Sequence, residues 1–360
     1  MHSISSVTLT TGEQVPLTTL KTACVFYWGL IGDVFVRVAI IEALKTRFPD
    51  LQITAVVDPS SKAVLIDHPA VASVVVFSRH KRPLWRYVFN TMQLVMRLRR
   101  RHFDLSINLY SGGASPQIVH WVNARVRLGF DHTAALRKSN NLLVKHPTFC
   151  DNWTKAFAQV LTPLGITNEQ VRRGTSFHVS PAAKLFASEF FAGDGHCYIV
   201  YNLGAGVAEK RWPVENFLAL AHSIEQRYQL TPLILTNPGM AELAAAFAVG
   251  YQSYGHCRIV PQLELAQVAA IIQHCNMIVT GDTSIMHLAF GLKVPTLVLF
   301  TYTRPEIVDP EDCLHVDCFI EDPSSINDCG RPSGTVAIPV DYVLSQFQHL
   351  FDQTTTGAPR

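Results

Sequence analysis

Short unbroken apolar runs alternate with segments whose apolar residues recur every three or four positions, which predicts strands alternating with helices. Residues 22–28 (TACVFYW) read as a buried strand, Gly29-Leu30-Ile31-Gly32-Asp33 as a turn, and residues 34–48 as a helix. Pro49-Asp50 ends that helix, and residues 53–57 form the next strand. The unit then repeats, with a β-rich run at 71–77, a basic amphipathic helix at 83–101 and a strand at 105–109. Alternation of this length implies a parallel sheet with helices on both faces.

A second series begins after about residue 176. Ser180-Pro181 opens a helix, with Ser as N-cap and Pro in the first helical position. Strands are expected at 197–202, 233–236, 277–280 and 296–300, and helices at 213–228, 240–247, 264–274 and 284–290. The pattern is interrupted near 165–180 by Gly165 and Arg172-Arg173-Gly174. The expected organisation is α/β: a first domain over 1–175, a second over 176–338, and a closing helix and tail over 339–360. Two such halves facing each other place a ligand at the carboxyl ends of the strands, in the cleft between them.

Composition narrows the functional classes. The chain has 360 residues, of which 48% are apolar and 16% charged, enough to give each half a sizeable core. Its 30 Lys+Arg against 28 Asp+Glu leave a net charge of +2, which argues against a nucleic-acid partner. No apolar run of about 18 residues is present, and residues 1–20 lack the charged and apolar regions of a secretory signal, so a cytoplasmic location is expected. Four of the eight cysteines, Cys24, Cys197, Cys257 and Cys275, fall in or beside apolar runs, as reduced core thiols do. Cys313, His315, Cys318 and Cys329 crowd one polar stretch, but their spacing matches no standard zinc pattern. Arg79-His80-Lys81-Arg82 and Arg97, Arg99, Arg100 and Arg101 form a basic stripe. It is either a solvated face or a contact for anionic lipid headgroups, where each cation adds about 1 kcal/mol.

Three segments carry candidate chemistry. In the first, Gly29 to Asp33, the glycines permit a sharp turn and Asp33 sits at a helix start; a plain helix cap is the alternative. The second, NLGAGVAEKRWP (202–213), follows a strand and places Lys210-Arg211 before a helix. That suits phosphate oxygens, the alternative being an ordinary solvated loop. It is no dinucleotide fingerprint, because Glu209 stands where the third glycine belongs, which disfavours a dinucleotide-dependent oxidoreductase. In the third, Gly281-Asp282-Thr283-Ser284-Ile285-Met286-His287, Asp282 is a natural N-cap and Thr283 and His287 share a helix face. Such a terminus can hold a diphosphate, whereas His287 alone is equally a core histidine.

In this order the segments resemble the ADP-heptose:lipopolysaccharide heptosyltransferases, glycosyltransferase family 9. The matching stretches are GDVFVRVAIIEALKTRFPDLQITAVV, FDLSINL, ARVRLGF, EKRWPVENFLALA and GDTSIMHLAFGLKVPTLVLF, and the resemblance runs from about Cys24 to Pro305. The resemblance implies two Rossmann-like domains in the GT-B arrangement. It also implies an inverting, metal-independent transfer of heptose from ADP-heptose to a lipopolysaccharide core saccharide, with no cofactor, at the inner membrane face. Asp33, with Gly32 before it, matches the general base, and Lys210 the lysine that stabilises the departing diphosphate. Gly281, Asp282, Thr283, Ser284 and His287 match donor-binding positions, with Ser284 where Gly is usual, and Leu263 matches a residue lining the nucleotide pocket.

The sequence departs from the family pattern at several points. Thr301-Tyr302-Thr303-Arg304-Pro305 replaces a Gly-Pro-Thr-Asp-Pro type stretch, which bears on the donor sugar. Ser111-Gly112-Gly113-Ala114-Ser115 stands where many members carry basic acceptor-binding residues. Met240 replaces an expected Glu, with Glu242 nearby, and Tyr27-Trp28 replaces a more basic approach to Gly29. The alternatives are a GT-B transferase using another nucleotide sugar or acceptor, or a catalytically silent sugar-nucleotide binding subunit.

Overall fold

A computed structural model describes residues 4–110, 112 and 114–356 of the chain. The chain divides into two compact units, Met1–His178 and Val179–Arg360. In the first, a small hairpin of β1 (Ser6–Thr8) and β2 (Gln14–Pro16) precedes β3 (Thr22–Tyr27), α1 (Ile31–Val36), α2 (Val38–Arg47) and β4 (Gln52–Val57). There follow α3 (Lys62–Leu65), β5 (Ser73–Val76), α4 (Leu84–Arg99), β6 (Leu105–Asn108), α5 (Ser115–Val122) and β7 (Val126–Phe130). The unit closes with α6 (Ala134–Ser139), β8 (Leu142–Val144) and α7 (Trp153–Ala158). Its sheet runs β5-β4-β3-β6-β7-β8, parallel throughout.

The second unit contains α8 (Pro181–Phe190), β9 (Cys197–Asn202), α9 (Val214–Tyr228), β10 (Leu230–Ile234), α10 (Ala241–Tyr251) and β11 (Arg258–Ile259). Next come α11 (Leu265–His274), β12 (Met277–Gly281), α12 (Ser284–Leu292), β13 (Thr296–Phe300) and β14 (His315–Phe319). A hairpin of β15 (Glu321–Ile326) and β16 (Pro332–Gly334) leads to α13 (Val340–Thr356), which packs on α9 and β14. Its parallel sheet runs β11-β10-β9-β12-β13-β14, the same winding as in the first unit. Each unit is therefore Rossmann-like, with its strand order reversing beside β3 in one and β9 in the other, where such sheets bind ligands.

The central strands are buried on both faces, so their sequences are continuous apolar runs: ACVFY of β3 and YIVYN of β9 carry no exposed residue. Ser180 caps α8 as expected, its hydroxyl accepting the Ala183 amide at 3.3 Å.

Elsewhere the local expectations change. The single helix read from 34 to 48 is two, broken at Arg37, which leaves helical geometry (φ −102°, ψ 1°). Gly32 lies within α1, and of the two glycines in this turn Gly29 alone takes a positive φ, at +142°. Of the four expected core thiols, Cys24 and Cys275 are buried, Cys257 is half-buried and Cys197 is exposed at the start of β9. The polar stretch around His315 becomes a sheet strand. There Cys318 packs into the core and His315 is held between Asp309 (3.0 Å) and the Cys313 carbonyl (2.8 Å). Burial pushes the Cys313 thiol up to about 12. Among the described residues, no three His, Cys, Asp or Glu side chains gather as a metal site.

Candidate functional site

In the second unit the residues of interest collect where β9 and β12 end side by side. Asn202, the last residue of β9, donates from Nδ2 to Thr280 Oγ1 (2.9 Å) and Thr283 Oγ1 (3.0 Å), tying the two strand ends together. Lys210 lies in a short 3-10 turn, 208–210, just before α9. Its ammonium is 3.4 Å from Asp282 Oδ2, donates to Thr303 Oγ1 at 3.2 Å, and stands 5.0 Å from the centre of the Tyr302 ring. The Thr303 hydroxyl also donates to Asp282, closing a three-membered polar cluster. Thr301 donates to the Lys210 carbonyl at 2.7 Å, so the loop after β13 holds both ends of the lysine.

The cap of α12 differs from the sequence expectation. Thr283, not Asp282, is the N-cap: its hydroxyl accepts the Ile285 amide at 3.2 Å. Asp282 is thereby released from capping, and its carboxylate pairs with Lys210 at the positive end of a nine-residue helix. Ser284 and Gly281 flank the cap, each half-buried. His287 lies one turn further on, 8% exposed, its ring edge-on to Phe290. Leu263 is half-buried in the loop before α11 and joins none of these polar contacts.

The surrounding sequence explains how the lysine loop is fixed. Trp212 is buried and donates from its indole nitrogen to the Ile338 carbonyl at 2.9 Å, anchoring the segment that follows Lys210. Met240, where a glutamate was expected, lies against Gly204 so closely that an added Cβ would meet its sulfur at 2.2 Å. Glu242 is exposed in the first turn of α10.

In the first unit the β3–α1 turn is built around a cation that pattern reading passed over. Arg37 is 2% exposed and donates to the carbonyls of Asp33 (2.6 Å), Trp28 (2.9 Å) and Leu109 (3.3 Å). Tyr27 donates from its hydroxyl to the Arg37 carbonyl at 2.8 Å. Burial lowers the Arg37 pKa, with Asp33 acting against that trend. Asp33 itself is exposed; its Oδ2 accepts the Leu30 amide at 2.9 Å, so one carboxylate oxygen does cap the helix. Its other oxygen makes no hydrogen bond among the described residues.

Beside this turn, at the carboxyl ends of β3 and β6, lies a cavity of about 640 Å³ lined by Trp28, Gly29, Arg79, Lys81, Tyr87 and Tyr110 among others. Arg79 is locked by Asp58 through bonds of 2.9 and 3.1 Å from Nε and sits 4.8 Å over the Tyr110 ring. The Trp28 indole N–H is fully buried and has no hydrogen-bond partner among the described residues. Asp33 does not line the cavity. Of the loop without basic residues, Ser111 and Gly113 lie outside the described residues, and Ser115 is turned inward, donating to Asn108 and Tyr110.

Arg37 and Asp58 have no role in the sequence reading, and Thr301 and Thr303 enter it only as part of a departure from the family pattern. Thr303 was within reach, since it lies in the stretch noted as unusual for the family. Arg37 gives one clue, as an arginine on the apolar face of a helix whose neighbours are all buried.

Residues 91–318 match the family described as glycosyltransferase family 9 (heptosyltransferase). The chain is similar to lipopolysaccharide heptosyltransferase 3 of Escherichia coli, 26% identical over 281 residues, or 76% of this chain and 81% of that one. Its fold matches that of a family 9 glycosyl transferase from Veillonella parvula, with a TM-score of 0.79 and 20% identity over 92% of this chain and 97% of that one. It also matches the E. coli ADP-heptose lps heptosyltransferase II, with a TM-score of 0.77 and 17% identity over 93% and 100% of the two chains. The chain belongs to glycosyltransferase family 9, the heptosyltransferases.

Proposed function

We propose that the protein transfers heptose from ADP-heptose to a lipopolysaccharide core saccharide, with inversion and without a metal cofactor, on the cytoplasmic face of the inner membrane. The observation that carries this reading is the Lys210 ammonium held between Asp282 and Thr303 at the start of α12. As the bond from the anomeric carbon to the phosphate oxygen breaks, the electron pair leaves with ADP. A pre-placed ammonium and a helix N-terminus stabilise the negative charge that grows there. Thr283, Ser284, Gly281 and His287 then border the diphosphate and the sugar, and Leu263 the nucleotide.

On the acceptor side Asp33, beside Gly32, takes the proton of the attacking hydroxyl. Its oxygen outside the capping bond is the one available for that task. The first-unit cavity suits a hydroxyl-rich anionic saccharide. It offers the Lys81 ammonium, the Arg79–Asp58 ion pair and an aromatic wall from Tyr87 and Tyr110.

The test is turnover of ADP-heptose against UDP- and GDP-sugars on purified core saccharides, with the products identified by mass. ADP-heptose should be preferred, and Asp33→Ala should lower turnover by about 10²- to 10⁴-fold while ADP still binds. Preference for another nucleotide would redirect the donor assignment, and full turnover by the Asp33 variant would remove that residue from the mechanism.

A further inference from the structure

We propose that α4 of the first unit is a membrane-docking helix that lays an apolar stripe into an anionic lipid surface. The observation is an inversion of the usual burial. The helix packs on the core through Thr91, Leu94 and Leu98, yet its largest apolar side chains point outward. Leu84 (66% exposed), Trp85 (69%), Val88, Phe89, Met92 (57%) and Met96 are all exposed. At 3.6 residues per turn these six fall within an arc of about 140°, a continuous face distinct from the core-facing one. Trp121 of the neighbouring α5 is likewise exposed, and Arg99 bonds to its carbonyl at 3.4 Å. A contiguous apolar patch of this kind on a water-exposed helix marks an interaction surface.

Charge identifies the occupant. From Arg79 to Arg101 the sequence carries eight Lys and Arg and no Asp or Glu. Arg79 is committed to Asp58, and Arg101 donates to the Thr54 and Ser73 hydroxyls. Lys81, Arg82, Arg86, Arg97, Arg99 and Arg100 are exposed around the two ends of the stripe. Large apolar residues on one face, with arginines flanking them, form the pattern of a helix lying in the headgroup plane. A second copy of this chain would bring the same positive charges face to face, which disfavours self-association. This inference deepens the membrane-side part of the proposed function, but it rests on the helix surface and not on the donor chemistry.

The test uses the full chain and sedimentation with vesicles of equal parts phosphatidylethanolamine and phosphatidylglycerol, with phosphatidylcholine vesicles as control. The wild type should bind the anionic vesicles selectively. Trp85→Ser/Phe89→Ser/Met92→Ser should weaken binding roughly a hundredfold, and Arg97→Glu/Arg100→Glu at least about tenfold. Circular dichroism of both variants should match the wild type, because every altered side chain is exposed. Both should also keep wild-type turnover on a truncated, lipid-free acceptor, which separates loss of docking from loss of transfer. Binding should blue-shift tryptophan emission in the wild type, and Trp85→Phe should remove most of that shift. The proposal is overturned if the wild type does not sediment with anionic vesicles or if the variants bind as well as it does. A dimer in solution that the apolar triple variant dissociates would also overturn it.

Discussion

Replacing Arg37 with methionine isolates the group that shapes the β3–α1 turn. The guanidinium donates to three main-chain carbonyls, of Asp33, Trp28 and Leu109, and so joins the ends of β3 and β6 to the first turn of α1. Methionine fills similar length without a donor. The variant escapes the cost of burying a charge but leaves three carbonyls short of a partner, at about 1 kcal/mol or more each. The expected loss is therefore about 3 kcal/mol, or roughly 6–12 °C in Tm for a unit of this size. Four of the five tryptophans, Trp28, Trp85, Trp121 and Trp153, lie in the first unit, so with Trp212 replaced by Phe tryptophan fluorescence during urea unfolding follows that unit. Arg37→Lys, with one ammonium in place of a planar fork, should lose about half as much. Arg100→Met, on the exposed end of α4, should change stability by less than about 0.5 kcal/mol. A loss below about 1 kcal/mol for Arg37→Met would refute the view that this arginine holds the turn together.

Two further expectations concern the second unit. Thr303→Val removes the hydroxyl that joins Lys210 to Asp282, and should lower kcat roughly fivefold, about 1 kcal/mol, with little change in folding; unchanged steady-state kinetics would contradict it. Asp317, desolvated on β14 with His315 countering and Asp309 and Glu306 reinforcing the effect, has its pKa raised to about 6. An acid whose folded pKa is raised binds more protons folded than unfolded, so its contribution to stability falls as pH rises from about 4 to about 6. Asp317→Asn should therefore be more stable than the wild type at pH 7 and no more stable at pH 4, as read from urea midpoints at the two pH values.

How much of this was legible in the sequence depends on whether a feature is local. The runs that became β3, β9 and β13 are apolar on both faces, because a parallel sheet covered by helices demands it, and they were found almost to the residue. The caps were harder. Asp282 and Thr283 are both good N-caps, and what decides between them is Asn202, far away in sequence, which bonds to Thr283. Arg37 was hidden because its carbonyl partners are set by the ends of two strands and not by any motif. The β14 strand was read only as a polar stretch because His315 and Asp317, both half-buried, precede the buried Cys318 at the edge of the sheet. Helix α4 was recognised as amphipathic and basic, but periodicity alone does not say which of two apolar faces meets the core. The Thr301–Thr303 stretch, which stood out only as a departure from the family pattern, holds the lysine by both its backbone and its side chain.

The central claim is that Lys210 serves the leaving diphosphate, and the most direct measurement is to separate binding from transfer in Lys210→Ala. ADP affinity by calorimetry and single-turnover transfer from ADP-heptose would be recorded on the same preparation. The account predicts a fall in the transfer rate of about 10²- to 10³-fold, well beyond any loss of ADP affinity, because the charge being stabilised is fully developed only in the transition state. Equal losses in binding and transfer, or transfer at the wild-type rate, would contradict it.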